Sequence, residues 1–127
     1  MKKRSSKKYI VCFDLDNTIC STKNNNYKSS KPKQKVVKII NDLYSDGYNI
    51  KIFTSRFMGR NKENKSLAQQ EGLTFTKKQL KNWNLKYDKL IMGKPSYDLL
   101  IDDKTLGFKK NWYKTFNIKK FSSKKRI

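Results

Sequence analysis

Tyr9-Ile10-Val11-Cys12-Phe13-Asp14-Leu15-Asp16-Asn17-Thr18 is the stretch on which the reading of this chain turns. Residues 9–13 are apolar without a break, as in a strand buried on both faces, and the run stops at a pair of aspartates one residue apart. Downstream, the polar stretch Ser21 to Lys31 reads as a loop or small hairpin flap, and Pro32 is placed to open a helix. Val36, Ile39, Ile40, Leu43 and Tyr44 recur at helical spacing until Gly47 stops the pattern. A second strand, Asn49 to Phe53, leads into Thr54-Ser55-Arg56. A helix from Lys62 to Glu71 is expected to end at Gly72, and Thr76 with Gln79 has capping-box spacing for a further helix through Trp83. Lys89 to Met92 and Asp98 to Ile101 are two more short strands, the first broken by Gly93-Lys94-Pro95, the second ending in Asp102-Asp103. Residues 105–113 are expected to form a last helix, and Thr115 to Ile118 an edge strand. Strands alternating with helices predict an α/β domain with a mainly parallel sheet covered on both faces.

The chain has 127 residues, 31 basic and 10 acidic, for a net charge of +21. Five basic residues and no acid lie in residues 1–8, and eight basic residues and no acid in 109–127, so the middle is an ordinary basic domain. The expected organisation is a basic tail over 1–8, a folded domain over 9–118 and a second basic tail over 119–127. Histidine is absent, which excludes Ser-His-Asp and Cys-His nucleophiles and an imidazole zinc site. Two cysteines, Cys12 and Cys20, are too few and wrongly spaced for structural zinc. No apolar run reaches the length of a membrane span and no signal-peptide pattern opens the chain, so a cytoplasmic protein with reduced thiols is expected.

Four of the ten acidic residues sit at two strand ends. In such sheets ligands collect beyond the carboxyl ends of the strands. Asp14 and Asp16 share one turn, where one carboxylate can attack while the other handles protons. Asp102-Asp103 can supply oxygen ligands to a hard cation such as Mg²⁺. The hydroxyls of Thr54 and Ser55 and the lone Lys94 complete a site suited to an anion. Together these groups suggest phosphoryl transfer, each helping to position or neutralise a phosphoryl group.

Phe13-Asp14-Leu15-Asp16-Asn17-Thr18, Ile52-Phe53-Thr54-Ser55-Arg56, Gly93-Lys94-Pro95 and Ile101-Asp102-Asp103-Lys104 resemble, in order, the four motifs of the haloacid dehalogenase superfamily. The resemblance covers roughly residues 9–108 and implies a Rossmann-like three-layer sandwich. It further implies a Mg²⁺-dependent phosphatase in which Asp14 is the nucleophile that forms an aspartyl-phosphate and Asp16 the acid and base. Thr54 would bind a phosphoryl oxygen, with Ser55 and Arg56 as further substrate contacts, and Lys94 would hold phosphate and nucleophile in register. Asp103, Asp14 and the Asp16 carbonyl would bind the metal, with Asp102 binding it through water or orienting its neighbours. Asn17 departs from the glycine of many relatives, but asparagine tolerates left-handed backbone. The segments after the first and second motifs are too short for a cap domain, so an open cleft is expected. Such a cleft suits a bulky substrate, or a small one enclosed by a second subunit.

Lys31-Pro32, the Phe53-to-Arg56 turn and Trp83 through Asp103 look most like small phosphatases of capsule and surface-polysaccharide biosynthesis. The leading expectation is therefore a phosphomonoesterase acting on a small sugar or alcohol phosphate. A second reading makes the substrate a nucleic-acid 3′-phosphate end, from the likeness of Asp102-Asp103-Lys104-Thr105 and Trp112 to the phosphatase half of polynucleotide kinase-phosphatases. A third is a non-catalytic basic module that binds nucleic acid on the same fold. The lysine-rich tails attract nucleic acid at low salt whatever the function, and an AT-rich genome produces the same bias. Arg56 and Arg60 suit substrate and solvent equally. Trp83, Tyr87 and Tyr97 read as packing residues, and Cys12 as a small core side chain.

Overall fold

The computed structural model describes residues 9–56, 65–92, 98–103 and 108–122. In chain order these form β1 (Ile10–Asp14), a hairpin of β2 (Cys20–Ser21) and β3 (Lys31–Pro32), α1 (Gln34–Ser45), β4 (Asn49–Thr54), α2 (Lys65–Asn82), β5 (Lys89–Met92), β6 (Leu99–Ile101) and the single turn α3 (Lys119–Ser122). Strands β5, β4, β1 and β6 lie side by side in that order and all parallel. The fold is α/β and Rossmann-like, as expected. From β1 the chain steps to β4 and on to β5 in one direction, then returns across the sheet to β6 on the other flank of β1. That reversal opens a crevice where the carboxyl ends of β1 and β6 meet.

Packing follows strand alternation. Val11 and Phe13 of β1 and Ile50 and Ile52 of β4 are fully buried in one cluster with Val36 and Ile40 of α1 and Leu80 of α2. Each such side chain contributes about 1.5–3 kcal/mol relative to exposure. Both helices therefore cover the same face, and Asn41 ties α1 to the loop that follows α2. Its side chain donates to the Asn84 carbonyl at 2.9 Å and accepts the Lys86 N–H at 2.7 Å. Trp112 stacks against Phe13 at 6.1 Å between ring centres. Trp83 and Tyr87 pack against this cluster, whereas Cys12, equally buried, lies outside it.

Two aspartates set the strand register. Asp98 accepts the Ile10 N–H on its carboxylate at 2.6 Å, while its own N–H donates to the Ile10 carbonyl at 3.0 Å. Asp88 brackets Ile50 in the same way, at 2.7 and 2.8 Å. Because each sits just before a strand, the pair pins β6 to β1 and β5 to β4, and with them the residues at the opposite, carboxyl ends.

Several local expectations are corrected. Pro32 does not open the helix; it pairs with Cys20 in the hairpin, where its missing N–H is tolerated at an edge, and α1 begins at Gln34. Gly72 does not end a helix and Thr76 does not cap one, for α2 runs through both. Gly72 and Thr76 are buried, so tertiary packing outweighs the roughly 1 kcal/mol that glycine costs in a helix. Residues 115–118 form no strand: Asn117 caps α3 by accepting the Lys119 N–H at 3.0 Å, and Ile118 is buried in the core. Residues 108–111 are not helical, and a short 3-10 turn spans Trp112–Lys114. The rest of that expected helix lies outside the described residues. No helix among the described residues is long and apolar enough to cross a membrane.

Candidate functional site

Beyond β1 the backbone turns sharply. The Leu15 carbonyl accepts the N–H groups of Thr18, Ile19 and Cys20, and Asn17 takes a left-handed φ of 64°, which its side chain tolerates. Leu15 and Ile19 are fully buried and anchor the turn in the core. Asp14 and Asp16 are left on the wall of a cleft of about 290 Å³.

Asp14 meets Asp102 and Asp103 there: one oxygen from each carboxylate lies within 4.8 Å of the others. Thr18 ties the two loops together. Its hydroxyl accepts the Asp103 N–H at 3.0 Å and donates to Asp14 at 3.3 Å, and the residue is fully buried. Burial first, then a hydrogen bond with Asp103 and the negative charge of Asp102, Asp103 and Asp16, push the Asp14 carboxyl up to about 8. Such crowding is what a bound cation relieves. A set of three carboxylates suits a hard, oxygen-seeking ion, so the residues fit a divalent metal.

This arrangement has a measurable consequence. A carboxyl raised in the folded state stabilises the fold fully below its unfolded value near 3.8 and loses that contribution as pH climbs towards 8. The chain has no histidine. Burial pushes the Cys12 and Cys20 thiols up to about 12 and about 11, so neither an imidazole nor these thiols compete with the Asp14 signal in this range. The cation-free protein is expected to melt several degrees lower at pH 8 than at pH 5. Mg²⁺ should recover most of the difference at pH 8. Melting curves across this range test it, and a midpoint indifferent to pH would overturn the assignment.

Asp16 has a different environment. The Arg56 Nε lies 3.1 and 3.0 Å from its two oxygens, and Nη2 lies 2.8 Å from Oδ1. The guanidinium is 0% exposed, against 21% for the Asp16 side chain. Nη1 donates to Gln79 Oε1 at 2.6 Å, Nη2 also to Ser30 Oγ at 3.3 Å and Cys20 Sγ at 3.8 Å, and the Tyr27 ring covers the guanidinium at 4.9 Å. Thr22 donates to Asp16 Oδ1 at 2.7 Å, and Thr54 approaches Oδ2 at 3.4 Å. Oδ1 thus takes more of these donors than Oδ2.

The expected site residues therefore separate. Asp14, Asp16, Ser55, Asp102 and Asp103 line the cleft. Thr54, expected to touch a phosphoryl oxygen, is buried and faces Asp16 while accepting the Arg56 N–H at 3.1 Å. Arg56, expected as a substrate contact, stands behind Asp16 and is not among the lining residues. Lys94, Arg60 and Tyr97 lie outside the described residues. Sequence reasoning gave no site role to Thr18, Thr22 or Gln79, the last of which read only as half of a capping box with Thr76. A hint for Arg56 existed: only four of the 31 basic residues are arginine, the side chain suited to forked, buried pairing.

No protein-family profile matches the chain, and no curated protein matches its sequence. Among solved structures, it is similar to a crystal structure from Vibrio cholerae at a TM-score of 0.72 and 22% identity, over 94% of this chain and 99% of that one. That likeness concerns the fold. A chain of a Pnkp1/Rnl/Hen1 complex has a TM-score of 0.48 at 18% identity, over 74% of this chain and 30% of its own length. A chain of a Pnkp1/Rnl/Hen1 RNA repair complex has a TM-score of 0.43 at 15% identity, over 89% of this chain and 32% of its own.

Proposed function

We propose that this protein is a Mg²⁺-dependent phosphomonoesterase of the haloacid dehalogenase superfamily, acting on a small phosphorylated metabolite through an aspartyl-phosphate. The observation that carries the reading is the pair of aspartates one residue apart in opposite settings. Asp14 sits among carboxylates at the mouth of β1, and Asp16 is clamped by a buried arginine. Neighbouring carboxyls with divergent environments are how one site divides nucleophile from acid–base group.

Asp14 attacks phosphorus, the bond from phosphorus to the alcohol oxygen breaks, and Asp16 passes a proton to the departing alcohol. Asp16 then takes a proton from water as that water attacks the phosphorus of the aspartyl-phosphate, which frees phosphate and restores Asp14. Asp14, Asp103 and the Asp16 carbonyl would hold Mg²⁺, with Asp102 beside them. The ion supplies charge neutralisation for the phosphoryl oxygens and for the carboxylates that must approach them. Ser55, on the cleft wall, would donate to a phosphoryl oxygen. Thr54 and Arg56 act one layer back, holding Asp16 in position.

Phosphate release from sugar phosphates, nucleotides and a 3′-phosphorylated oligonucleotide, with Mg²⁺ and with EDTA, tests the proposal. Turnover of at least one ester is expected, falling by roughly 100-fold or more in EDTA. Silence on every ester in Mg²⁺, or full activity in EDTA, would overturn it. The described lining has four carboxylates and no lysine or arginine, which favours a small ester over a polyanionic nucleic-acid end.

A further inference from the structure

The outer wall of the same cleft belongs to the β2–β3 hairpin, and its tip is chemically distinctive. Asn24 and Asn25 occupy consecutive left-handed positions, with φ of 52° and 57°, in a turn closed by the Asn26 N–H on the Lys23 carbonyl at 2.9 Å. Positive φ at both central positions of a four-residue turn, here within the 22–30 loop between β2 and β3, is a geometry in which glycine usually fills one of the two. Here both residues carry amides, both are exposed, and both line the cleft with Asp14 and Asp16.

The hairpin is tied firmly to the acid–base side of the site. Thr22, two residues before Asn24, donates to Asp16 through its hydroxyl at 2.7 Å and to the Asn17 side chain through its N–H at 3.1 Å. On the far side of the turn, the Tyr27 carbonyl accepts from Gln79 at 2.8 Å. A leaving group whose oxygen receives a proton at Asp16 therefore meets a wall whose position is already set, at little ordering cost on binding.

The chemistry of that wall limits what it can select. Each amide offers donor and acceptor together, the complement of a hydroxyl, which is also both. No described lysine or arginine lines the cleft to attract a second anionic group. The Tyr27 ring, also on the cleft wall, is held over Arg56 and against Met92.

We propose that the Asn24–Asn25 turn is a leaving-group subsite that selects an uncharged, hydroxyl-rich alcohol, as in a monosaccharide or polyol monophosphate. This rests on the phosphomonoesterase reading. The competing explanation is that the two asparagines are turn formers and nothing more. Asn24→Gly/Asn25→Gly separates the two, because glycine keeps the left-handed turn while removing both amides.

The experiment measures kcat/KM of the full chain in Mg²⁺ for glucose 6-phosphate, glucose 1-phosphate, p-nitrophenyl phosphate and a 3′-phosphorylated oligonucleotide. Melting curves of wild type and variant, expected within a few degrees, confirm that the turn is retained. The ratio of the better sugar phosphate to p-nitrophenyl phosphate should fall about 100-fold in the double variant, roughly tenfold per amide. An unchanged ratio, or wild-type preference for the oligonucleotide, overturns the subsite and leaves the phosphatase reading standing. Absence of turnover on all four removes both.

Discussion

Asp14→Asn is expected to lower phosphate release by at least about 10⁴-fold, the scale on which loss of an essential nucleophile is felt. The same change should leave the fold intact and raise the melting temperature at pH 8. Asparagine keeps the shape of aspartate but cannot attack phosphorus. Its amide oxygen can still accept from Thr18, and its NH₂ can donate to Asp103, so the local hydrogen bonds survive. What disappears is a carboxyl that burial and its acidic neighbours push up to about 8. Removing it should also flatten the pH dependence of stability between pH 5 and 8. Turnover and melting curves on one protein preparation check both halves. Retained activity would sink the nucleophile assignment. Activity lost together with the fold would show that Asp14 is structural instead.

Arg56→Ala should destabilise the protein by about 3–5 kcal/mol, the cost of leaving a buried charge partner unpaired. It should also reduce kcat by roughly 10²-fold or more. Asp16 would lose the three contacts that fix its orientation, while Gln79 and Ser30 would face an empty space. Because that variant can fail to fold, Arg56→Lys is the informative companion. Lysine keeps the charge but not the planar fork, so it restores stability only in part and leaves Asp16 poorly aimed. With Arg56 behind Asp16 and outside the lining residues, the loss should fall on kcat with KM nearly unchanged. A rise in KM at constant kcat would instead make Arg56 a direct substrate contact. Combining Arg56→Lys with Asp16→Asn closes the comparison: two residues that act as one unit give a double loss smaller than the sum of the single losses.

The elements that could be read from residues are those whose signal is local. The apolar run before Asp14, the helical spacing from Val36 to Tyr44 with Gly47 at its end, and the strand from Lys89 to Met92 appear where expected. Gly72 and Thr76 misled because their local preferences are overruled by burial within α2. The C-terminal segment misled in the opposite way: apolar residues from 115 to 118 suggest a strand, yet no neighbouring strand pairs with them and Ile118 serves as a core plug before a capped turn.

The candidate site divides along the same line. Asp14, Asp16, Asp102 and Asp103 stand at strand ends in the sequence itself, and a parallel sheet has to gather its strand ends at one edge. Which acids meet there was decided by the return of the chain to β6 beside β1, since only that strand order puts Asp102 and Asp103 against Asp14. Asp88 and Asp98, also aspartates beside strands, became register clamps because they precede their strands rather than follow them. Arg56 could not be assigned from its neighbours at all. Its partners lie 23, 26 and 40 positions away, at Gln79, Ser30 and Asp16, on a helix, a hairpin and a strand-end turn. By itself the sequence determined which chemical groups end each strand, because hydrophobic periodicity is written in adjacent residues. The tertiary structure alone decided which charge each group faces, because buried ion pairs form between segments that only the order of the sheet brings together.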